Sequence, residues 1–109
     1  MTPKAFIDKL RLGAQKALAR SKAWTPEEAI VLQTLVWAPA NIKQRSDLYV
    51  AGTLRGMLAL ISTMKDRVAE EIKTLIWMAG EAVEIDAPVP DDQVNAALAA
   101  LDKLHARAA

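Results

Sequence analysis

The chain has 109 residues, 52% of them hydrophobic and 25% charged, with a formal net charge of +1. That length suits one domain, and the apolar fraction is too high for a disordered chain. The near-neutral balance supplies no global field for nucleic acid or membrane, and the absence of cysteine excludes disulfides, thiolate metal sites and cysteine nucleophiles.

Glycine and proline sit where helices would start or stop, and no strand alternation runs longer than a few residues. A first helix is predicted over residues 3–21. Thr2 can cap it, and Pro3 fits the first turn, where a missing N–H costs nothing. Ile7, Leu10, Ala14 and Ala17 form an apolar stripe, flanked by Phe6 and Leu18. This N-terminal stretch lacks the continuous apolar run and the small-residue cleavage site of a secretory signal. Lys9, Lys16 and Arg20 share a face away from the stripe. Such a face suits phosphates, an acidic partner or a membrane surface, or simply solvates the helix. No aromatic residue interleaves with these cations, so base stacking is not indicated.

The second helix, over residues 26–37, has the clearest start. Thr25-Pro26-Glu27-Glu28 is a capping box with proline at the first helical position. The segment is apolar almost all round and is expected at the centre, ending before Pro39. Trp24 and Trp37 flank it as core residues.

The third element is predicted as one long helix over residues 42–79, stopped by Gly80. Ala51, Leu54, Leu58, Ile61, Lys65, Val68, Ile72, Leu75 and Ala79 step by three and four, the pattern of a heptad seam. Met57, Met64 and Met78 widen the band beyond a two-stranded seam, and Lys65 interrupts it. A rival reading starts a new helix near Thr63 or Asp66. Trp77 falls opposite the seam, so either another helix covers it or it is open to a partner. Residues 48–64 are apolar over the short limit for a membrane span, but Arg55 at their middle favours a buried core helix. Gly52 and Gly56 have the spacing that admits a neighbouring backbone. An acidic linker over residues 81–90 follows, stiffened by Pro88 and Pro90. The last helix, over residues 91–106, is alanine-rich and expected to pack loosely.

Little here carries chemistry. His105 is the sole histidine, and no nucleophile or orienting acid accompanies it in a motif, so an exposed surface role is expected. One histidine without cysteine supplies no metal motif, and the acidic linker lacks the ligand spacing of a calcium loop. No catalytic residue, metal or cofactor is expected.

Pro39, Ala40, Asn41, Arg45, Ser46, Asp47, Tyr49, Gly52, Arg55 and Gly56, within residues 39–61, carry a resemblance. The stretch resembles small helical proteins encoded among the head and tail assembly genes of tailed phages. It covers about a fifth of the chain and brings no catalytic residue with it. The resemblance implies a virion or assembly component acting by protein contact.

The sequence thus reads as an all-α, single-domain bundle of about four helices with one long central helix. Its expected role is a non-enzymatic assembly or adaptor protein, meeting itself or a larger assembly through Met57, Met64, Lys65, Val68, Ile72 and Trp77. The rivals are a small helical inhibitor of a host protein and a nucleic-acid binder using Lys9, Lys16 and Arg20. A membrane partner is not expected, and the location is cytoplasmic or, for a phage protein, the virion.

Overall fold

The computed structural model describes residues 1–20, 24–40, 54–57, 59, 60, 63, 67–85 and 87–108. The protein is all-α, a small helical bundle. Helix α1 spans Pro3–Arg20. Its N-terminus is capped by the Thr2 hydroxyl, which accepts the Ala5 N–H at 3.2 Å. The predicted stripe faces inward: Phe6, Ile7, Leu10, Ala14 and Ala17 are buried.

Helix α2 spans Pro26–Ala40 and begins with the capping box the sequence predicts. The Thr25 hydroxyl accepts the Glu28 N–H, and Glu28 Oε1 accepts the Thr25 N–H, both at 3.1 Å. The helix continues through Pro39 to Ala40, beyond the expected end. A proline at position 39 withholds only the N–H that would reach the Leu35 carbonyl, so it biases the helix end without forcing it. Nor is α2 central. Val31, Leu32 and Leu35 are sealed in the core, but Ile30 and Trp37 stand about half exposed on the opposite side.

The continuous third helix is not observed. Residues 54–57, 59, 60 and 63 are helical, but the chain leaves helical geometry at Val68 and Ala69, a few residues beyond the rival break point. Helix α3 then spans Glu70–Ile85. Ala69 acts as its cap residue, its carbonyl accepting the N–H groups of Ile72 and Lys73 at 3.1 and 3.2 Å. The seam residues Leu54, Val68, Ile72, Leu75 and Ala79 are nevertheless all buried. Gly80 does not stop this helix. It lies buried inside α3, where a Cβ would come to 3.4 Å from that of Leu54. Residues 81–85 of the expected linker are therefore helical. The helix ends just before Pro88, which disfavours helical geometry at the residue preceding it.

Helix α4 spans Asp91–Ala108, with the Pro90 carbonyl accepting the Gln93 and Val94 N–H groups. It is not loosely packed: Ala97, Ala100, Leu101 and Leu104 are buried. Helix α1 packs against each of the other three, and α3 also packs against α2 and α4. The chain start meets the α3–α4 connection, where the Val89 N–H donates to the Met1 carbonyl at 2.8 Å. Among the described residues no helix is long and apolar enough to cross a membrane.

One carboxylate joins these pieces. Glu28 is 1% exposed. Beyond its capping bond, Oε2 accepts the Ala69 N–H at 3.0 Å, and Oε1 accepts from Arg107 of α4 at 2.5 Å. The Thr25 hydroxyl donates to the Arg67 carbonyl at 2.7 Å. Arg107 also meets Glu71 at 3.5 Å and lies over the Trp24 ring, 5.1 Å from its centre. Trp24 in turn donates to the Ala17 carbonyl of α1 at 3.2 Å. Burial pushes the Glu28 carboxyl up. The Arg107 guanidinium and the N–H groups of Thr25 and Ala69 outweigh that and hold it below its ordinary value.

A buried charge stripped of its partner is strongly destabilising, so Arg107→Met should lower unfolding free energy by about 3 kcal/mol at neutral pH. Because the folded Glu28 value is depressed, its contribution is complete above the ordinary value of 4.5 and is lost as pH falls through the lower folded value. Glu28→Gln should therefore be less stable at neutral pH and show a flatter acid limb. Urea unfolding at a series of pH values measures both, and equal acid slopes would remove Glu28 as the responsible group.

Candidate functional site

Helix α3 buries Ile72, Leu75, Ile76, Ala79 and Val83. Trp77, Glu81, Glu84 and Ile85 follow one another at helical spacings of four, three and one, which places them along one outward ridge. Trp77 is 50% exposed and Ile85 60% exposed, the latter the most open of the large apolar side chains among the described residues. Together with Leu54 and Arg55 these residues line a cleft of about 530 Å³. Arg55 Nε donates to Glu84 Oε2 at 2.6 Å. Glu81 is only partly buried, yet its Oε2 atom is out of reach of solvent and accepts no hydrogen bond.

A second cleft, of about 510 Å³, runs between α1 and α4 and shares no lining residue with the first. Leu12, Gly13, Leu98 and Leu101 lie along it, with Lys9, Lys16, Asp102 and His105 among the polar lining. Its shape depends on Gly13. A Cβ there would fall 2.4 Å from Leu101 Cδ2, so a larger residue would force the buried Leu101 side chain to move. His105 is not the exposed residue expected. It is partly buried, with Nε2 3.1 Å from the Gly13 carbonyl, and it holds α4 to α1 as an N–H donor. Leu12 is 53% exposed although it lies on the basic side of α1.

The residues expected at an interface divide. Trp77 is exposed, and Met57 is partly buried against the core. Val68 and Ile72, at 2% and 0% exposure, are sealed inside the bundle and cannot meet a partner. The described members of their seam, Leu54, Val68, Ile72, Leu75 and Ala79, are all buried within the chain. Met64 and Lys65 lie outside the described residues. Of the expected cationic face, Lys9, Lys16 and Arg20 are all exposed, and no ion pair forms on them among the described residues. The structure brings Lys9 and Lys16 to the α1–α4 cleft, while Arg20 does not line it. Gly52 lies outside the described residues, and Gly56 faces open space; among the described glycines, close approach occurs at Gly13 and Gly80.

Sequence reasoning missed Leu12 and Ile85. Leu12 is an apolar residue off the α1 stripe, a signal visible in the periodicity. Ile85 was hidden by reading Gly80 as a helix stop. No known family matches the chain, and no curated protein or solved structure is significantly similar to it.

The two glycines make a paired test. Gly56→Ala, with nothing within 4 Å, should gain about 0.5–1 kcal/mol from helix propensity. Gly13→Ala should lose roughly 1 kcal/mol, because overpacking against Leu101 exceeds the same propensity gain. Chemical unfolding of both variants reads the opposite signs.

Proposed function

We propose that this protein is a non-enzymatic helical assembly or adaptor component that acts by contact with protein, and that α3 presents the contact. The observation that carries the reading is Trp77. It stands half exposed about two turns before an open Ile85, on a helix whose opposite side is engaged in the core. Tryptophan gains most at the desolvated centre of an interface, where its area is removed from water. Exposed apolar clusters rimmed by polar groups are the usual signature of such surfaces. The resemblance of residues 39–61 to head and tail assembly proteins of tailed phages extends the proposal to a virion or assembly component.

Nucleic-acid binding is the weaker reading. Leu12 and Asp102 share the cleft with Lys9 and Lys16. A cleft that pairs apolar side chains and a carboxylate with two cations suits a protein surface better than a run of phosphates.

Position 77 tests the proposal directly. With Trp77 replaced by the photo-crosslinker p-benzoyl-phenylalanine, irradiation in the source cells should yield protein adducts. The same group at Asn95, an exposed polar position outside both clefts, should not yield them. Adducts at 77 no more abundant than at 95 would remove the protein-contact reading.

A further inference from the structure

The outward side of α3 and the α1–α4 groove share no lining residue, and they carry opposite charge. We propose that the α3 ridge of one copy seats in the α1–α4 groove of a second copy, so that the protein associates head to tail. This rests on the protein-contact reading above and adds the identity of the partner.

Three observations support the match. The first is shape and length. Trp77 to Ile85 spans about 12 Å of helix and Lys9 to Lys16 about 10 Å, so ridge and groove engage over a similar distance. A helix anchors in a groove through residues three, four and seven apart, and Trp77, Glu81 and Glu84 keep that spacing. The second is apolar complementarity. Trp77 and Ile85 are open on the ridge, and Leu12 is open in the groove beside the partly buried Leu98. The third is charge. The ridge carries Glu81 and Glu84, and the groove carries Lys9 and Lys16. Counting Arg55 with the ridge and Asp102 with the groove still leaves one net charge on each, of opposite sign. Glu81 also has a carboxylate oxygen without a hydrogen-bond donor, which an incoming lysine supplies once the side chain turns outward.

Contact between two different patches is heterologous. It builds chains, or rings where the rotation closes, and it does not stop at a two-fold dimer. That property makes the test specific. One variant blocks the ridge with Trp77→Ala and Ile85→Ser; the other blocks the groove with Lys9→Glu and Lys16→Glu. All four positions are exposed, so both variants should keep the helical circular-dichroism spectrum of the parent.

Solution mass is then followed by sedimentation over a dilution series. The parent should grow past the dimer with concentration, and less so at raised salt. Each variant alone should be monomeric. An equimolar mixture should form a dimer and nothing larger, since one partner retains a groove and the other a ridge. That rescue also shows that both variants are folded. A mixture that stays monomeric overturns the proposal, as does a parent that is monomeric at every concentration or a ridge variant that still associates alone. These failures remain distinct from failure of the protein-contact reading: crosslinks from position 77 to another protein, with none to a second copy, would retain that reading and discard self-association.

Discussion

Glu28 places a carboxylate where water does not reach, at the first turn of α2. An ion in that position is tolerable only when every part of it is met. Its neighbours come from three places in the chain. Thr25 supplies the capping N–H, Ala69 supplies the N–H just before α3, and Arg107 supplies the counter-charge from the last turns of α4. Helix α1 joins the same network through Trp24, which lies under Arg107 and donates to the Ala17 carbonyl. The four bounded helices thus converge on one charged group. Misplacing any of them would leave a buried charge or a buried donor unmet.

This constraint accounts for the interruption before α3. A helix continuing through Val68 and Ala69 would have its N–H groups committed to carbonyls four residues earlier. Here the Ala69 N–H is committed to Glu28, and the Arg67 carbonyl accepts from Thr25. Alanine is a poor cap, but the acidic pair Glu70 and Glu71 lies in the first turn, where the helix dipole favours negative charge. Starting the helix at Glu70 puts Ile72, Leu75, Ile76, Ala79 and Val83 inward and leaves Trp77, Glu84 and Ile85 outward. The outward side of α3 follows from its periodicity, and the start at Glu70 keeps that phase.

The groove has a parallel origin. Arg107 fixes the end of α4, and the Gly13–Leu101 contact fixes how closely α4 approaches α1. Between those two restraints His105 bonds to the Gly13 carbonyl. Leu12 sits one residue outside the apolar stripe, so it reaches the lip of the groove without being covered. Lys9 and Lys16, two turns apart on the same helix, then stand on either side of it along the helix. The groove is thus held by the same interactions that stabilise the bundle.

Local signals alone determined that the chain is helical and where three of its four bounded helices begin. Thr2 with Pro3, the Thr25-to-Glu28 box and Pro90 with Asp91 act within a few residues, so their consequences can be read without the rest of the molecule. The α1 stripe was legible for the same reason, because a period of 3.6 reports a buried face wherever that face is directed. Tertiary structure decided the rest. The periodicity of residues 51–79 records that the seam is buried, and it keeps the same phase whether or not the backbone breaks beneath it. Only Glu28, some forty residues away in sequence, imposes the break. Gly80 could not be told from a helix stop, because its reason is the approach of Leu54 across the fold. The burial of Val68 and Ile72 and the exposure of Trp77 and Ile85 likewise depend on which neighbours arrive. A residue's outward direction follows from its own helix, but its access to a partner is set by what the other helices leave uncovered.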